Sequence, residues 1–356
     1  MKFRNFPMVP RVVYGRGAID QLGEIIAPKR KENAPMVFFI DHALKQRNWL
    51  KKLPIEGNDR IIFVNTTSEP KTKEIDAWRD EIVQLFGTVS GIIGIGGGSV
   101  MDIAKAVALM VTNPGSSVKY QGWDLVHIPG VYHAGIPSIS GTGAEVARTA
   151  VLTGPERKLG INSDFTPFDQ IIMDPNLLEG VPADQRFYTA MDCYIHCVEA
   201  LHGSFLNAFS KSYGEKAQEL CEKVFLEKEV WDDESDEELM MASFHGGMSI
   251  AYSQVGVSHA TSYGLAFVLG THHGIGNCIA FNHLEEFYPE GVAKFKKMLT
   301  KWNIRLPKVC VNLSEEQYAA MIKVSLSMEK LWENALGSNW RNIMTPERLR
   351  ALYERM

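Results

Sequence analysis

The chain has 356 residues, of which 45% are apolar, and a formal net charge of −5. At about 150 residues per domain this length predicts two domains, each with its own core. The acidic balance and the scattered Lys and Arg exclude the clustered basic face that nucleic acid or an anionic membrane surface would need.

The N-terminal stretch has Pro7 and Pro10 and no apolar h-region, so no signal peptide is expected. No apolar run approaches the roughly 18 residues of a membrane span. The first half then alternates between two patterns. Met36–Ile40, Arg60–Asn65 and Gly91–Ile95 are short apolar runs, as suits strands buried on both faces of a parallel sheet. Between them, Lys73–Phe86 and Val100–Met110 carry apolar residues at helical spacing. This alternation predicts a doubly wound α/β domain. After Asp174-Pro175 and Val181-Pro182 the pattern is helical: Gln185–Leu201, Ala208–Val224, Glu237–Tyr252 and Glu315–Asn334. Residues Glu227–Glu238 read as a solvated loop and a helix start, and Thr345-Pro346-Glu347 as a helix cap. The expected division is an α/β domain over 1–182 and an all-α domain over 183–356. Five cysteines, at 193, 197, 221, 278 and 310, are odd in number and irregular in spacing. They predict reduced thiols and a cytoplasmic protein.

The run Gly94-Ile95-Gly96-Gly97-Gly98-Ser99 stands where a strand stops and a helix starts. Free backbone N–H groups and the helix dipole there suit a pyrophosphate, and glycine permits close approach. A turn without a ligand also uses glycine. A second segment, Ser138–Glu145, sets three hydroxyls beside Gly141 and Gly143. It reads equally as a cover for phosphate or nicotinamide and as a polar loop. Asp41 ends the first long apolar run, where an acid can bond a ribose 2′-OH and repel a 2′-phosphate. The usual fingerprint has that acid after the glycines, so a solvent-facing turn residue is the competing reading.

In the helical half, Asp192 and His196 are four apart and project from one helix face. With His259 and His273 they form an N/O donor set suited to Fe(II) or Zn(II) rather than Ca or Mg. Each residue also reads as an ordinary buried polar group. Cys193 and Cys197, at the same spacing on an adjacent face, are a rival pair of soft ligands.

Six segments together resemble the group III, iron-containing alcohol dehydrogenase family, in that family's order: GGGSVMDIAKA (96–106), IPSISGTGAEV (136–146), KLGINS (158–163), MDPNLL (173–178), MDCYIHCVEA (191–200) and SHATSYGLAF with HHGIGN (258–277). The resemblance implies a dinucleotide-binding α/β domain, a helical metal domain and an active site in the cleft between them. It carries metal ligation onto Asp192, His196, His259 and His273. It carries pyrophosphate contact onto Gly97, Gly98 and Ser99, and cofactor contact onto Asp41, Asp102, Ser140, Thr142 and Lys158. The implied cofactors are NAD or NADP and one divalent ion, Fe(II) or Zn(II), with homo-oligomers common.

Two departures stand out. Tyr263 replaces the family's second histidine four residues after the third ligand, which leaves Tyr263 and His272 as candidates for the proton relay. Glu69-Pro70 replaces an Asn-Pro. Within the family the resemblance points to oxidation of the C8 alcohol of 3-deoxy-D-manno-octulosonate, a lipopolysaccharide sugar acid, whose aldehyde would feed an aminotransferase. Arg148 is the nearest candidate for its carboxylate. The alternatives are a general short-chain alcohol dehydrogenase, an oxidase that recycles a tightly held cofactor, and a dehydroquinate-synthase-like cyclase.

Overall fold

The computed structural model describes residues 8–356. Positions 1–7, on which part of the expectation about a signal peptide rests, lie outside the described residues. The chain divides into two compact units, one running to residue 139 and including 144–180, the other made of 140–143 and 181–356.

The first unit runs through β1 (Val12–Tyr14), α1 (Leu22–Ile26), β2 (Met36–Asp41), β3 (Arg60–Val64), α2 (Thr72–Phe86), β4 (Gly91–Gly96), α3 (Gly98–Met110), β5 (Gly122–Trp123), β6 (His133–Pro137), β7 (Thr149–Thr153), β8 (Lys158–Asn162) and β9 (Gln170–Met173). Six of these strands form a parallel sheet in the order β1-β9-β6-β4-β2-β3. Its inner strands include β4 and β2, whose side chains are buried on both faces except at Asp41. Apolar runs with no polar face fit only a sheet covered on both sides. Helix α3 supplies cover, and every residue from Val100 to Met110 except Asp102 is buried. A Cβ on Gly94 would stand 2.7 Å from the Ala104 Cβ, so glycine sets how closely β4 and α3 approach.

A second sheet, β5-β8-β7, was not expected from the sequence. In it β7 and β8 pair antiparallel from Thr149 opposite Asn162 to Thr153 opposite Lys158. Five residues alternating in burial are a weak signal beside the continuous apolar runs.

The connection from β2 leads outward to β3, while that from β4 leads the other way to β6. The chain therefore reverses direction between β2 and β4, and the crevice outside their carboxyl ends is where such sheets bind ligands. Asp41 ends one strand and Gly96 the other.

The second unit is helical: α4 (Ala183–His202), α5 (Ala208–Glu222), α6 (Asp233–Tyr252), α7 (Val257–Leu269), α8 (His273–Phe281), α9 (Pro289–Lys301), α10 (Glu315–Leu326), α11 (Glu329–Leu336), α12 (Trp340–Ile343) and α13 (Pro346–Tyr353). Helix α4 is enclosed by α5, α6, α7 and α8 and is buried continuously from Thr189 to Ala200. Side chains cap the entries: Asn207 for α5, Asp232 for α6, Ser314 for α10 and Thr345 for α13. The single helix expected over 315–334 is two. Ser327 Oγ donates to the Val324 carbonyl and Trp332 Nε1 to the Ser325 carbonyl. These side chains take acceptors that a continuous helix would use for its own backbone.

Gly94→Val is expected to destabilise the protein by about 1–3 kcal/mol, through overpacking of β4 against α3. Urea unfolding of the variant measures it, and an unchanged midpoint would contradict the close approach.

Candidate functional site

The buried helix α4 carries Asp192 and His196 one turn apart, α7 carries His259, and His273 is the first residue of α8. One ligand atom from each lies within 4.8 Å of every other. Asp192 Oδ2 is 3.6 Å from His196 Nε2 and 3.5 Å from His273 Nε2, and Asp192 Oδ1 is 3.4 Å from His259 Nε2. Donors bound tetrahedrally at about 2.1 Å stand ~3.4 Å apart, so the spacing suits one transition-metal ion. Asp192 Oδ2 is also buried without a hydrogen-bond partner. An isolated buried carboxylate oxygen is costly, and a cation facing it removes that cost. The donor set therefore fits a divalent ion. Asp192, His196 and His259 are buried, whereas the His273 side chain is 25% exposed, which leaves approach from its side.

Burial would raise the Asp192 carboxyl, but the His196, His273 and His259 imidazoles outweigh it and hold it well below the usual carboxylate range. Burial would lower His259, but the carboxylates of Glu199 and Asp192 prevail and push it up to about 9. The His196 ring, where burial dominates, is lowered. The His196 and His259 rings stack with centroids 4.6 Å apart.

Two residues to which the sequence reading gave no role complete the cluster. Glu199, on α4 one turn beyond His196, is fully buried. It accepts from His259 Nδ1 at 2.5 Å and from the Ser258 backbone N–H at 2.5 Å. Asn277, one turn beyond His273 on α8, donates its Nδ2 to Asp192 Oδ1 at 2.7 Å and faces His259 Nε2 at 3.0 Å. Helical spacing from a candidate ligand was the signal available for both.

Tyr263 is half-buried one turn after His259, its ring 5.9 Å from that of His273. His272 is exposed at the start of α8. Of the two proton-relay candidates, Tyr263 is thus the one against the cluster. Cys193 and Cys197 do not form a rival site. Cys193 donates to the Ala242 carbonyl, and a Cβ placed on Gly246 of α6 would touch both sulfurs. All five cysteines are free thiols.

In the first unit, Asp41 accepts from the Ala43 N–H at 2.9 Å and from Thr66 Oγ1 at 3.1 Å. A Cβ on Gly96 would lie 3.1 Å from the Asp41 Cβ, which puts the acid beside the glycine turn. Gly97 caps α3 without offering a side chain to the first amides, so the Gly98 and Ser99 end of the helix is open to an anion. Lys105 is fully buried, with Nζ donating to the carbonyls of Ala144 at 2.5 Å, Ala147 at 2.8 Å and Thr149 at 3.2 Å. Burial lowers its ammonium to about 8, against Asp102 and Glu145. Desolvation pushes Asp102 up to about 7, opposed by Lys105. Lys158 is buried with Nζ 3.2 Å from Glu69 Oε1, so the residue replacing the family's asparagine holds this lysine. Arg148 bonds Asp124 and Asp164, and its charge is thereby matched within the protein rather than left for a substrate carboxylate.

Ser140 and Thr142 fall in the four-residue segment that belongs to the second unit. Gly141, at φ +149°, has no room for a Cβ beside the Thr189 backbone carbonyl, and Gly143, at φ +65°, none beside Gly247. These glycines therefore serve packing against α4 and α6. Ser140 Oγ is buried with no hydrogen-bond partner.

Two models of one family match the chain, iron-containing alcohol dehydrogenase over residues 9–175 and the C-terminal part of the Fe-containing alcohol dehydrogenase family over 186–342. The NAD-dependent methanol dehydrogenase of Bacillus methanolicus is 28% identical over 291 residues, 80% of this chain and 75% of that protein. Among solved structures, sulfoacetaldehyde reductase from Bifidobacterium kashiwanohense in complex with NAD+ superposes with a TM-score of 0.82 at 20% identity, over 99% of this chain and 98% of that one. An iron-containing alcohol dehydrogenase from Thermotoga maritima gives 0.82 at 22% identity, over 99% of each chain.

His259→Ala is expected to abolish metal retention while the helical content stays. Metal analysis of the desalted protein together with circular dichroism tests this, and full occupancy in the variant would remove His259 from the ligand set.

Proposed function

This chain belongs to the iron-containing alcohol dehydrogenase family, and we propose that it oxidises a primary alcohol to an aldehyde. It is a metal- and NAD-dependent alcohol dehydrogenase. The observation that carries the proposed site is the convergence of one donor atom each from Asp192, His196, His259 and His273 within 4.8 Å of one another, with Asp192 Oδ2 buried and without a hydrogen-bond partner. When bound, the divalent ion supplies a Lewis acid for the alcohol oxygen and the nicotinamide supplies the hydride acceptor.

The protein's own residues do the rest. Asp192 and the three histidines hold the ion, which we take to be Fe(II). Gly97, Gly98 and Ser99 present the open end of α3 to the pyrophosphate, and Asp41 accepts from the adenosine ribose. Asp102, Ser140, Thr142 and Lys158 are the further cofactor contacts, with the buried Ser140 hydroxyl lacking any protein partner. Tyr263, whose ring lies against His273, is the candidate to relay the alcohol proton, its hydroxyl giving up its own proton toward solvent as it accepts, and exposed His272 is the alternative. The reaction requires the carbinol carbon and nicotinamide C4 to reach about 3–3.5 Å.

For substrate we propose the C8 hydroxyl of 3-deoxy-D-manno-octulosonate, supported by the resemblance of the sequence motifs, with an aminotransferase consuming the aldehyde. A cytoplasmic location belongs to the same proposal. Five free thiols support it, and among the described residues no helix is long and apolar enough to cross a membrane. Homo-oligomerisation is also part of it. A general alcohol dehydrogenase is the second reading, favoured by the methanol dehydrogenase relative.

Formation of reduced nicotinamide from the sugar acid and from short-chain primary alcohols decides between them. Faster turnover on the simple alcohols would reject the sugar acid, and no net reduced cofactor from any alcohol would reject both. Asp41→Gly is expected to raise NADP use at least about tenfold relative to NAD, as loss of one charge repulsion worth roughly 1.4 kcal/mol would do. Unchanged selectivity would remove Asp41 from the ribose contact.

A further inference from the structure

We infer that Glu199 is a positioning residue for the metal centre: it fixes His259 with its proton on Nδ1 and its lone pair on Nε2. The inference rests on the metal-centre reading above.

The geometry is specific. Glu199 is fully buried, and its two oxygens face two different donors. Oε1 accepts from the Ser258 N–H at 2.5 Å, and Oε2 is 2.5 Å from His259 Nδ1. An ionised carboxylate only accepts, so Nδ1 carries the proton. On the other side of the ring, the Asn277 amide Nδ2 faces Nε2 at 3.0 Å, and a donor there calls for a lone pair. Glu199 and Asn277 therefore favour one tautomer, the one with Nε2 free to ligate an ion shared with Asp192 Oδ1, which stands 3.4 Å from it. His196 lacks this support, because its Nδ1 is buried without a partner. Among the described residues the ion-pair partners of Asp192 and Glu199 are all histidines.

Glutamine at 199 is nearly isosteric but cannot substitute. Its one carbonyl oxygen can accept from Ser258 or from His259, and its amide then confronts the other donor. Relief comes only if His259 moves its proton to Nε2, the atom the ion needs, or if the bond breaks.

The experiment is a chelator-competition titration with cobalt(II), read by its visible absorption, on the wild type, Glu199→Gln, Glu199→Ala, His259→Ala and Asp192→Ala. Glu199→Gln and Glu199→Ala are expected to bind cobalt about 10–100-fold more weakly. Their cobalt spectra should change while the thermal midpoints of the metal-free proteins stay close to wild type. Affinities within twofold of wild type and unchanged spectra would overturn the inference. If His259→Ala and Asp192→Ala also bind as wild type does, the metal-centre reading itself fails. Should the Glu199 variants not fold, the zinc-loaded wild type decides. With 15N-labelled histidine, the His259 signal, assigned by its loss in His259→Gln, should show a proton on Nδ1. A proton on neither nitrogen or on Nε2 would overturn the inference.

Discussion

A carboxylate inside an apolar helix bundle governs the second unit. Asp192 lies on α4, which is buried continuously from Thr189 to Ala200, and its side chain is fully enclosed. Burying such a charge costs several kcal/mol unless partners surround it. Helices α7 and α8 supply those partners. One brings His259 and the other His273 and Asn277, so that Asp192 Oδ1 meets an amide donor and both oxygens face imidazoles. His196 arrives from the same helix, one turn on. A second buried acid, Glu199, stands behind His259 and ties α4 to the first turn of α7 through Ser258. The cluster is thus a scaffold of charges that packing alone would not tolerate, and a divalent ion at the proposed centre would balance it.

The first unit rests on backbone proximity instead. Its central strands are apolar on both faces, and α3 packs onto β4 at a distance that glycine at 94 and 96 permits. The same closeness brings Asp41 next to the glycine turn. One buried cation stabilises the chain beyond β6. Lys105 gathers the carbonyls of Ala144, Ala147 and Thr149, which fixes a segment with no helix or strand of its own before β7 begins. A buried ammonium requires such acceptors, and its lowered pKa reflects the solvation it has lost.

Several of these features were legible in the residues. The runs at 36–40, 60–65 and 91–95 read as buried strands because they lack a polar face, and they are β2, β3 and β4. The i,i+4 pair of Asp192 and His196 read as one helix face. The second sheet was hidden because β7 and β8 are short and alternate only weakly. The break at Ser327–Met328 was hidden because its cause, Trp332 donating to the Ser325 carbonyl, is a side-chain contact that periodicity does not express. Glu199 sat in view within the segment MDCYIHCVEA, yet an acid on a helix is ordinarily solvated. Only its burial against His259 gives it meaning.

The sequence by itself determined the class of each half, the elements that carry the chemistry and the identity of the four metal-ligand candidates. The first two follow from local periodicity, which acts over a turn or two of chain; the ligand candidates follow from the donor chemistry of side chains together with the family resemblance of their motifs. The tertiary structure decided which distant residues meet: His259 and His273 with Asp192, Glu199 behind His259, Lys158 against Glu69, and Arg148 spent on Asp124 and Asp164. Pairings across 16 to 89 positions depend on how buried charges find partners when helices and strands pack, and that is a property of the folded whole.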